Sequence, residues 1–269
     1  MFRVDPVANA IGRPTDIGSV VRSLSIVLPA YNEEASIEDA VRACAGLAEA
    51  ASDFEVIVVD DGSQDDTAGV IKQLVDELSW LRLVSHDRNR GYGAALRTGF
   101  AAARHDLVFY TDADQQFEVG ELRDHLHRMD SVDLLTGFRV YRYDPLSRLV
   151  VSWVYNRMVR VLFRVEVRDV DCSFKLMRRE RLDRLVLLSD DFFIDTELVA
   201  RARKWKWTIE QVGVRHFPRR KGKTSVRPSA VTQTLRTLAS MWREIYFPNR
   251  RRLVEAIEEQ DTLRADMRG

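Results

Sequence analysis

The chain has 269 residues, of which 45% are hydrophobic, and this is enough for one large domain with its own core. Its 41 basic and 41 acidic residues balance, but residues 1–135 contain 12 basic and 24 acidic residues, so an acidic half precedes a basic half. A basic half suits phosphate groups, anionic lipid or nucleic acid, although the two halves also attract each other. The two cysteines exclude a disulfide framework and a zinc set, and no window approaches the ~20 apolar residues of a membrane span.

Apolar runs alternate with helical patterns along most of the chain. Residues 1–22 contain prolines and aspartates without a long apolar core, so we expect an irregular arm and no secretory signal. The predicted strands are residues 24–29, 54–59, 81–84 and 107–110, and the predicted helices are residues 36–50, residues 65–78 and a third helix from Gly91. Alternating strands and helices indicate βαβ units, and therefore an α/β fold with an open, mostly parallel sheet flanked by helices.

A pair of carboxylates directly follows the fourth predicted strand. Asp112 and Asp114 lie one residue apart just after the apolar run of residues 107–110. Crowded carboxylates raise each other's pKa unless a cation joins them, and oxygen ligands favour Mg²⁺ or Mn²⁺ over zinc. Such an ion keeps few protein ligands and binds substrate phosphates in its other positions. The pair predicts a divalent metal site, with a solvated Asp-rich turn as the alternative.

Polar residues also follow the other predicted strands. They are Tyr31 and Glu33 after the first strand, Asp60 and Asp61 after the second, and Asn89 and Gly91 after the third. Because such folds bind ligands at the carboxyl edge of the sheet, we expect these loops to converge on one site. The chain has no complete G-x-G-x-x-G motif and no Walker lysine, which disfavours dinucleotide enzymes and P-loop NTPases. It also has no G-x-S-x-G motif, the nucleophile elbow of α/β-hydrolases.

Four motifs together resemble a known family. They are Pro29-Ala30-Tyr31-Asn32-Glu33, Val59-Asp60-Asp61-Gly62-Ser63, Asn89-Arg90-Gly91-Tyr92-Gly93 and Thr111-Asp112-Ala113-Asp114-Gln115-Gln116. Their order and spacing are similar to those of the family 2 glycosyltransferases, which have the GT-A fold. Within that family the chain most resembles dolichol-phosphate mannose synthase and the related polyprenyl-phosphate glycosyltransferases. The resemblance extends from Leu24 to the region of Ser225.

The resemblance implies a site for a nucleotide-sugar donor. The base and ribose would be held by Pro29, Tyr31, Glu33, Val59 and Asp61, and the donor would also meet Asp112, Ala113 and Asp114. The two carboxylates would bind Mg²⁺ or Mn²⁺, with Gln116 as a further metal ligand. Arg139, in Gly137-Phe138-Arg139, would contact phosphate. Arg219 and Lys223 would lie in a loop that folds over the pyrophosphate.

The resemblance also implies an acceptor side. Arg148 would reach an acceptor phosphate, residues 169–175 would close this side, and Asp195 would lie near it. Two positions depart from the mannose synthases. Ser225 stands where those enzymes have a lysine, and Lys221 or Lys223 would take over its role. Lys175 stands where those enzymes often have arginine. Both departures weaken the case for GDP-mannose and leave a UDP-hexose donor open.

The expected activity is inverting transfer of a hexose from a GDP- or UDP-sugar to a polyprenyl or dolichyl phosphate. That phosphate is largely ionised at neutral pH, so it needs no general base. One alternative is transfer to a glycan or small-molecule hydroxyl, which would need a base, with Asp169, Asp171 and Asp195 as candidates. A metal-dependent nucleotidyltransferase is a second alternative.

Two amphipathic stretches, residues 146–163 and 229–247, place arginines beside tryptophan and leucine. This pattern is typical of interfacial helices, so we expect a cytoplasmic protein that lies peripherally on the inner face of a membrane. Core-facing helices or a dimer contact are the alternatives, and a homo-oligomer or a membrane protein partner stays open. Nucleic acid is not expected, because the basic residues lack aromatic platforms on strands. The predicted divisions are an arm (1–22), a GT-A domain (23–228) and a helical extension (229–269).

Overall fold

The computed structural model describes residues 22–140, 146–218 and 231–268, without the side chains of residues 146–148 and 231–233. Its centre is a seven-stranded sheet with the strand order β3-β2-β1-β4-β6-β5-β7. The strands are β1 (Leu24–Ala30), β2 (Phe54–Asp60), β3 (Leu81–Ser85), β4 (Leu107–Tyr110), β5 (Leu134–Arg139), β6 (Lys175–Arg178) and β7 (Ile209–Val214). Only β6 runs antiparallel to its neighbours among these strands, so the expected mostly parallel sheet is confirmed.

The central strands are buried on both faces. Every residue of β1, β2 and β4 is buried, which is typical of parallel strands covered by helices on both sides. The four predicted strands are confirmed to within one residue at each end. In the register, Ala30 lies beside Asp60 and Val27 lies beside Tyr110, so the loops after β1, β2 and β4 adjoin as expected.

Eight α-helices lie in the described ranges. They are α1 (Ile37–Cys44), α2 (Thr67–Glu77), α3 (Tyr92–Ala102), α4 (Leu146–Phe163), α5 (Arg179–Leu182), α6 (Ile194–Lys204), α7 (Val231–Tyr246) and α8 (Arg250–Arg268). Two stretches, Ala45–Ala50 and Val119–Asp130, are 3₁₀ helices. The helix predicted for residues 36–50 therefore ends as an α-helix at Cys44, because Gly46 disfavours its continuation.

Two hydrophobic clusters occupy the two faces of the sheet. One lies against α3, α4, α6 and α7 and contains Phe163, Leu198 and Leu238. The other lies against α1 and α2 and contains Ile37 and Ile71. Both amphipathic stretches thus contribute one buried stripe to the core, and no described helix is long and apolar enough to cross a membrane. Residues 1–21 lie outside the described residues, and the domain boundaries stay predictions.

Candidate active site

Main-chain to side-chain hydrogen bonds join the loops that follow β1 and β2. The Asn32 nitrogen donates to Ser63 Oγ at 2.9 Å, and the Gln64 nitrogen donates to Asn32 Oδ1 at 2.7 Å. The Glu33 nitrogen donates to Thr67 Oγ1 at 2.9 Å. Asn32 itself has a φ of 56°, a left-handed conformation that asparagine tolerates. The two loops therefore form one wall at the carboxyl edge of the sheet.

The residues predicted to hold the nucleotide line this wall with unequal accessibility. Tyr31 is 40% exposed, and its ring is open to a ligand. The Glu33 carboxylate accepts a hydrogen bond of 2.6 Å from Ser36 Oγ. Pro29 and Val59 are register partners in β1 and β2. The Val59 side chain is fully buried, so this residue can meet a ligand only through its main chain.

Asp61 fixes the loop between β3 and α3. Its carboxylate accepts hydrogen bonds from the main-chain nitrogens of Arg90 at 2.9 Å and Gly91 at 2.8 Å. The His86 ring lies between Asp61 and α3, with Nδ1 at 2.6 Å from Asp61 Oδ1 and Nε2 at 3.0 Å from Thr98 Oγ1. A carboxylate accepts hydrogen bonds, so Nδ1 carries a proton in this contact. Asp61 therefore has a structural role in this loop, and its contact with the nucleotide stays a prediction. The sequence did not indicate the role of His86.

The start of α3 is pressed against the main chain of residues 189–190. Gly91 has a φ of 103°, and a Cβ there would lie 2.2 Å from the carbonyl oxygen of Asp190. A Cβ on Gly93 would lie 2.3 Å from the carbonyl oxygen of Ser189. The Gly93 nitrogen donates to the Asp190 carbonyl at 2.8 Å. Both glycines are therefore needed for close approach of two main chains.

Two hydroxyl groups orient the Asp112 carboxylate. Tyr92 Oη donates to Oδ1 at 2.9 Å, and Ser173 Oγ donates to Oδ2 at 2.7 Å. Burial and the charge of Asp114 raise the pKa of Asp112 to about 6, although the two hydroxyl donors oppose this shift. Burial and the charge of Asp112 raise the pKa of Tyr92 well above its usual value, so the phenol stays a donor. Neither Tyr92 nor Ser173 was predicted as a site residue.

Asp114 and Gln116 complete the predicted metal ligands. Asp114 is 7% exposed, and its Oδ1 accepts a hydrogen bond of 3.1 Å from the Gln116 nitrogen. The Gln116 amide group donates through Nε2 to the Phe217 carbonyl at 3.1 Å, which leaves its Oε1 available as an oxygen ligand. Ala113, between the two carboxylates, is buried.

These residues fit a hard divalent ion that shares its coordination with a ligand. No described cluster of three or more His, Cys, Asp or Glu residues could hold a metal alone. Asp112 and Asp114 are two crowded carboxylates, one half-buried and one buried, whose mutual repulsion a cation would relieve. Magnesium and manganese sites of this kind use one or two carboxylates and fill their other positions with phosphate oxygens or water.

Arg139 is held in a bidentate ion pair with Asp169. Its Nε and one terminal nitrogen donate to the two carboxylate oxygens at 2.6 and 2.7 Å. Burial opposes the charge of Arg139, but the hydrogen bonds that it donates to Asp169 dominate and raise its pKa. The rigid fork of this arginine is thus aimed from β5 towards the segment of residues 169–175.

Asp195 forms a buried ion pair with Lys175. The Lys175 side chain is fully buried, and its ammonium group donates to this carboxylate and to the carbonyl oxygens of Val170 at 2.9 Å and Cys172 at 2.5 Å. The Tyr110 hydroxyl also donates to Asp195. The ammonium has all three donors in use, which gives Lys175 a structural task and argues against Asp195 as a free general base.

Comparison with known families decides the class of this site. The family model described as glycosyl transferase family 2 matches residues 25–186, which include Asp61, Asp112, Asp114 and Arg139. The chain belongs to glycosyl transferase family 2. The expected resemblance is thereby confirmed over more than half of the sequence.

Two relatives illustrate the range of this family. The glycosyltransferase AglD of Haloferax volcanii is 35% identical over 233 residues, which are 80% of this chain and 37% of that protein. The dodecaprenyl-phosphate galacturonate synthase of Rhizobium johnstonii is 29% identical over 230 residues, which are 83% of this chain and 67% of that protein. The family 2 chain thus spans about a third of the first relative and two thirds of the second.

A solved structure shares the fold of this family 2 chain. Glucosyl-3-phosphoglycerate synthase of Mycobacterium tuberculosis, in complex with Mn²⁺ and UDP-glucose, superposes with a TM-score of 0.58 at 22% sequence identity. The match covers 88% of this chain and 79% of that one. The expected GT-A fold, an α/β sheet flanked by helices, is confirmed.

Some predicted site residues of the family 2 chain have no described side chain. Arg148 lies in the first turn of α4, but its side chain is outside the described part. Arg219 and Lys223 lie in residues 219–230, which are also outside it. Their contacts with phosphate stay predictions.

Glu197 lies in the first turn of α6 with Asp195 and has a separate structural role. Its carboxylate accepts hydrogen bonds from the main-chain nitrogens of Leu188 and Ser189, the latter at 2.8 Å. Arg201 Nε also donates to it at 2.7 Å. Glu197 therefore holds the segment that packs against the start of α3.

Proposed function

We propose that this family 2 chain transfers a hexose from a nucleotide-diphosphate sugar to a polyprenyl or dolichyl phosphate, with inversion at the anomeric carbon. One observation carries the proposal: the half-buried Asp112 and the buried Asp114 lie together at the carboxyl edge of the sheet, with Asp112 oriented by two hydroxyl donors. The class of acceptor is supported by the relative from Rhizobium johnstonii, a dodecaprenyl-phosphate galacturonate synthase.

The donor side would stabilise the leaving nucleoside diphosphate. A bound Mg²⁺ or Mn²⁺ supplies positive charge to the diphosphate oxygens as the glycosidic bond breaks. Asp112 and Asp114 would hold this ion, with Gln116 Oε1 as a third ligand. Tyr31 and Glu33 would face the nucleoside at the wall formed by the loops after β1 and β2. The predicted roles of Arg219 and Lys223 over the diphosphate complete this side.

The acceptor side suits a nucleophile that is already ionised. A phosphate monoester has a second pKa near ~6, so it attacks without a base at neutral pH. The Asp195 carboxylate accepts hydrogen bonds from Lys175 and Tyr110, and the Asp169 carboxylate accepts them from Arg139. These contacts support a reaction in which neither carboxylate acts as a base. Arg139 would exchange one of its hydrogen bonds with Asp169 for a phosphate oxygen, and Arg148 would bind the acceptor phosphate.

Apolar side chains on α4 support attachment to a membrane surface. The helix buries Tyr155, Val159 and Phe163 in the core, yet it leaves other large apolar residues in solvent. The exposed ones are Val150, Val151, Trp153, Val154, Val161 and Leu162, with Val151 at 70% and Trp153 at 65% exposure. Arg157 is exposed on the same helix, and an amphipathic face with arginine favours an anionic bilayer surface. This face would bring the acceptor side to its lipid substrate.

The experiment is product analysis with a panel of GDP- and UDP-hexoses, Mg²⁺ or Mn²⁺, and farnesyl phosphate. We expect a nucleoside diphosphate and a glycosyl farnesyl phosphate of inverted configuration, both identified by mass spectrometry and NMR. Asp114→Asn should abolish turnover, whereas the exposed Asp76→Asn on α2 should retain it. Release of pyrophosphate would indicate a nucleotidyltransferase, and glycosylation of hydroxyls alone would refute the lipid phosphate acceptor.

A further inference from the structure

Among the described residues, one carboxylate oxygen of Asp171 has no hydrogen-bond partner, whereas its charged neighbours are paired. The cluster contains the carboxyl groups of Asp169, Asp171 and Asp195 and the cations Arg139 and Lys175. Arg139 donates to both oxygens of Asp169. The Lys175 ammonium group donates its three hydrogen bonds to Asp195 and to two carbonyl groups. Asp171 Oδ1 is shielded from solvent and has no hydrogen-bond partner among the described residues. Among the described residues, three carboxyl groups of this cluster thus face two cations.

The surroundings of Asp171 favour its neutral form. Burial, followed by the charges of Asp195 on α6 and of Asp169, raises the pKa of Asp171 to about 7, although Lys175 on β6 and Arg139 on β5 oppose the shift. The group that faces it from α4 is Tyr155, whose own pKa is raised by burial and by Asp171. The Tyr155 hydroxyl is hydrogen-bonded to Thr196 Oγ1 at 2.7 Å and leaves Asp171 unpaired. The largest charge contributions come from these four residues.

The position of Asp171 connects the two halves of the reaction site. Two residues before it, Asp169 holds Arg139, the predicted phosphate-binding arginine. Two residues after it, Ser173 donates to Asp112, the predicted metal ligand. Asp171 therefore lies between the residue that holds Arg139 and the residue that orients Asp112.

We propose that Asp171 binds the acceptor phosphate as a neutral carboxylic acid and donates its hydroxyl hydrogen to a phosphate oxygen. The inference rests on the proposed lipid phosphate acceptor. An ionised Asp171 would repel a phosphate dianion, whereas the protonated group adds a donor beside Arg139. The proton stays on the carboxyl group throughout, because the phosphodiester product is a weaker base than the monoester. A hydroxyl acceptor would instead need the ionised form of Asp171 as a base, so the two acceptor classes predict opposite dependence on pH.

Calorimetric titration with farnesyl phosphate at pH 6 and pH 8 tests this assignment. A group with a pKa of about 7 is about 90% protonated at pH 6 and about 10% at pH 8, so wild-type affinity should fall about tenfold between them. Asp171→Asn keeps a donor and cannot ionise, so its affinity should not fall. Asp171→Ala should bind more weakly than wild type at pH 6 and at least as well at pH 8. The exposed control Asp76→Asn should reproduce the wild-type fall.

Infrared spectroscopy provides a readout that is independent of the acceptor. The difference spectrum between wild type and Asp171→Asn should contain a carboxylic acid band at pH 6 that declines by pH 8, because Asp112 contributes equally to both forms. A wild-type fall in affinity that persists in Asp171→Asn would overturn the inference while leaving the proposed function intact. Loss of turnover in Asp171→Asn with undiminished binding would also overturn it, because that result identifies a base. Absence of farnesyl phosphate binding by every form at both pH values would refute the proposed acceptor, and with it this inference.

Discussion

Replacement of Lys175 by methionine should destabilise the fold by about 3–5 kcal/mol, because it leaves Asp195 as an uncompensated buried charge. The Lys175 side chain is fully buried, and the Asp195 side chain is 6% exposed. Methionine is unbranched and similar in length to the aliphatic part of lysine, so little packing is lost. The expected cost is therefore electrostatic, with a further contribution from the Val170 and Cys172 carbonyl groups that lose their donor.

Urea unfolding followed by circular dichroism measures this cost through the extrapolated free energy of unfolding. The double variant Lys175→Met/Asp195→Asn should recover most of the loss, because both charges are removed together. Arg251→Met serves as the control, since its ion pair with Glu255 is exposed and contributes little. A loss below about 1 kcal/mol in Lys175→Met, or a double variant less stable than the single one, would refute the buried ion pair as a stabilising feature.

Four further outcomes are expected. Tyr92→Phe should weaken Mn²⁺ binding about tenfold in calorimetry, because it removes one of the two donors that orient Asp112. Gly91→Ala should lower the free energy of unfolding by about 2 kcal/mol, since its φ is 103° and its Cβ would meet the Asp190 carbonyl. Burial raises the pKa of the Cys44 and Cys172 thiols to about 12, so neither should react with Ellman's reagent at pH 8 until urea unfolds the chain. Trp153→Ser should reduce flotation of the protein with anionic vesicles.

A specific result would contradict each of these four predictions. Unchanged Mn²⁺ affinity in Tyr92→Phe would show that the phenol does not orient a metal ligand, and Tyr246→Phe is the control that should bind as wild type does. Wild-type stability of Gly91→Ala would mean that the segment of residues 189–190 can move away at little cost. Rapid labelling of a folded thiol at pH 8 would disprove its burial. Absence of flotation for the wild-type protein would remove the membrane surface from the proposed function.

The strands and the carboxylate pair could be predicted because their signals are local. Each central strand is a short apolar run buried on both faces, and this pattern is visible within a window of residues. Asp112 and Asp114 follow β4 directly, so their place at the sheet edge follows from that of the strand. The end of α1 was harder to predict, since one glycine decides where α-helix gives way to 3₁₀ helix.

The partners of the site residues could not be predicted because they are distant in sequence. Tyr92 and Ser173 are 20 and 61 residues from Asp112, and nothing in their own neighbourhoods indicates a hydroxyl donor to a metal ligand. The family resemblance placed Asp195 near the acceptor side, but its ion pair with Lys175 depends on how β6 meets α6. For α4, the periodicity of apolar residues predicts a helix but does not show which of them pack in the core and which are exposed to solvent.

The hydrogen bond between Gly93 and the Asp190 carbonyl limits how the start of α3 can bind an anion. In many nucleotide-binding folds, the free N–H groups at the start of a helix bind the phosphate directly. Here the first turn of α3 donates to the carbonyl group of Asp190 from its own chain, with nitrogen to oxygen distances of 2.8 Å for Gly93 and 3.3 Å for Ala94. Two N–H groups of this first turn are therefore already paired within the chain. A diphosphate bound at this edge would take its counter-charge mainly from cations, and the glycine-rich turn serves chain packing.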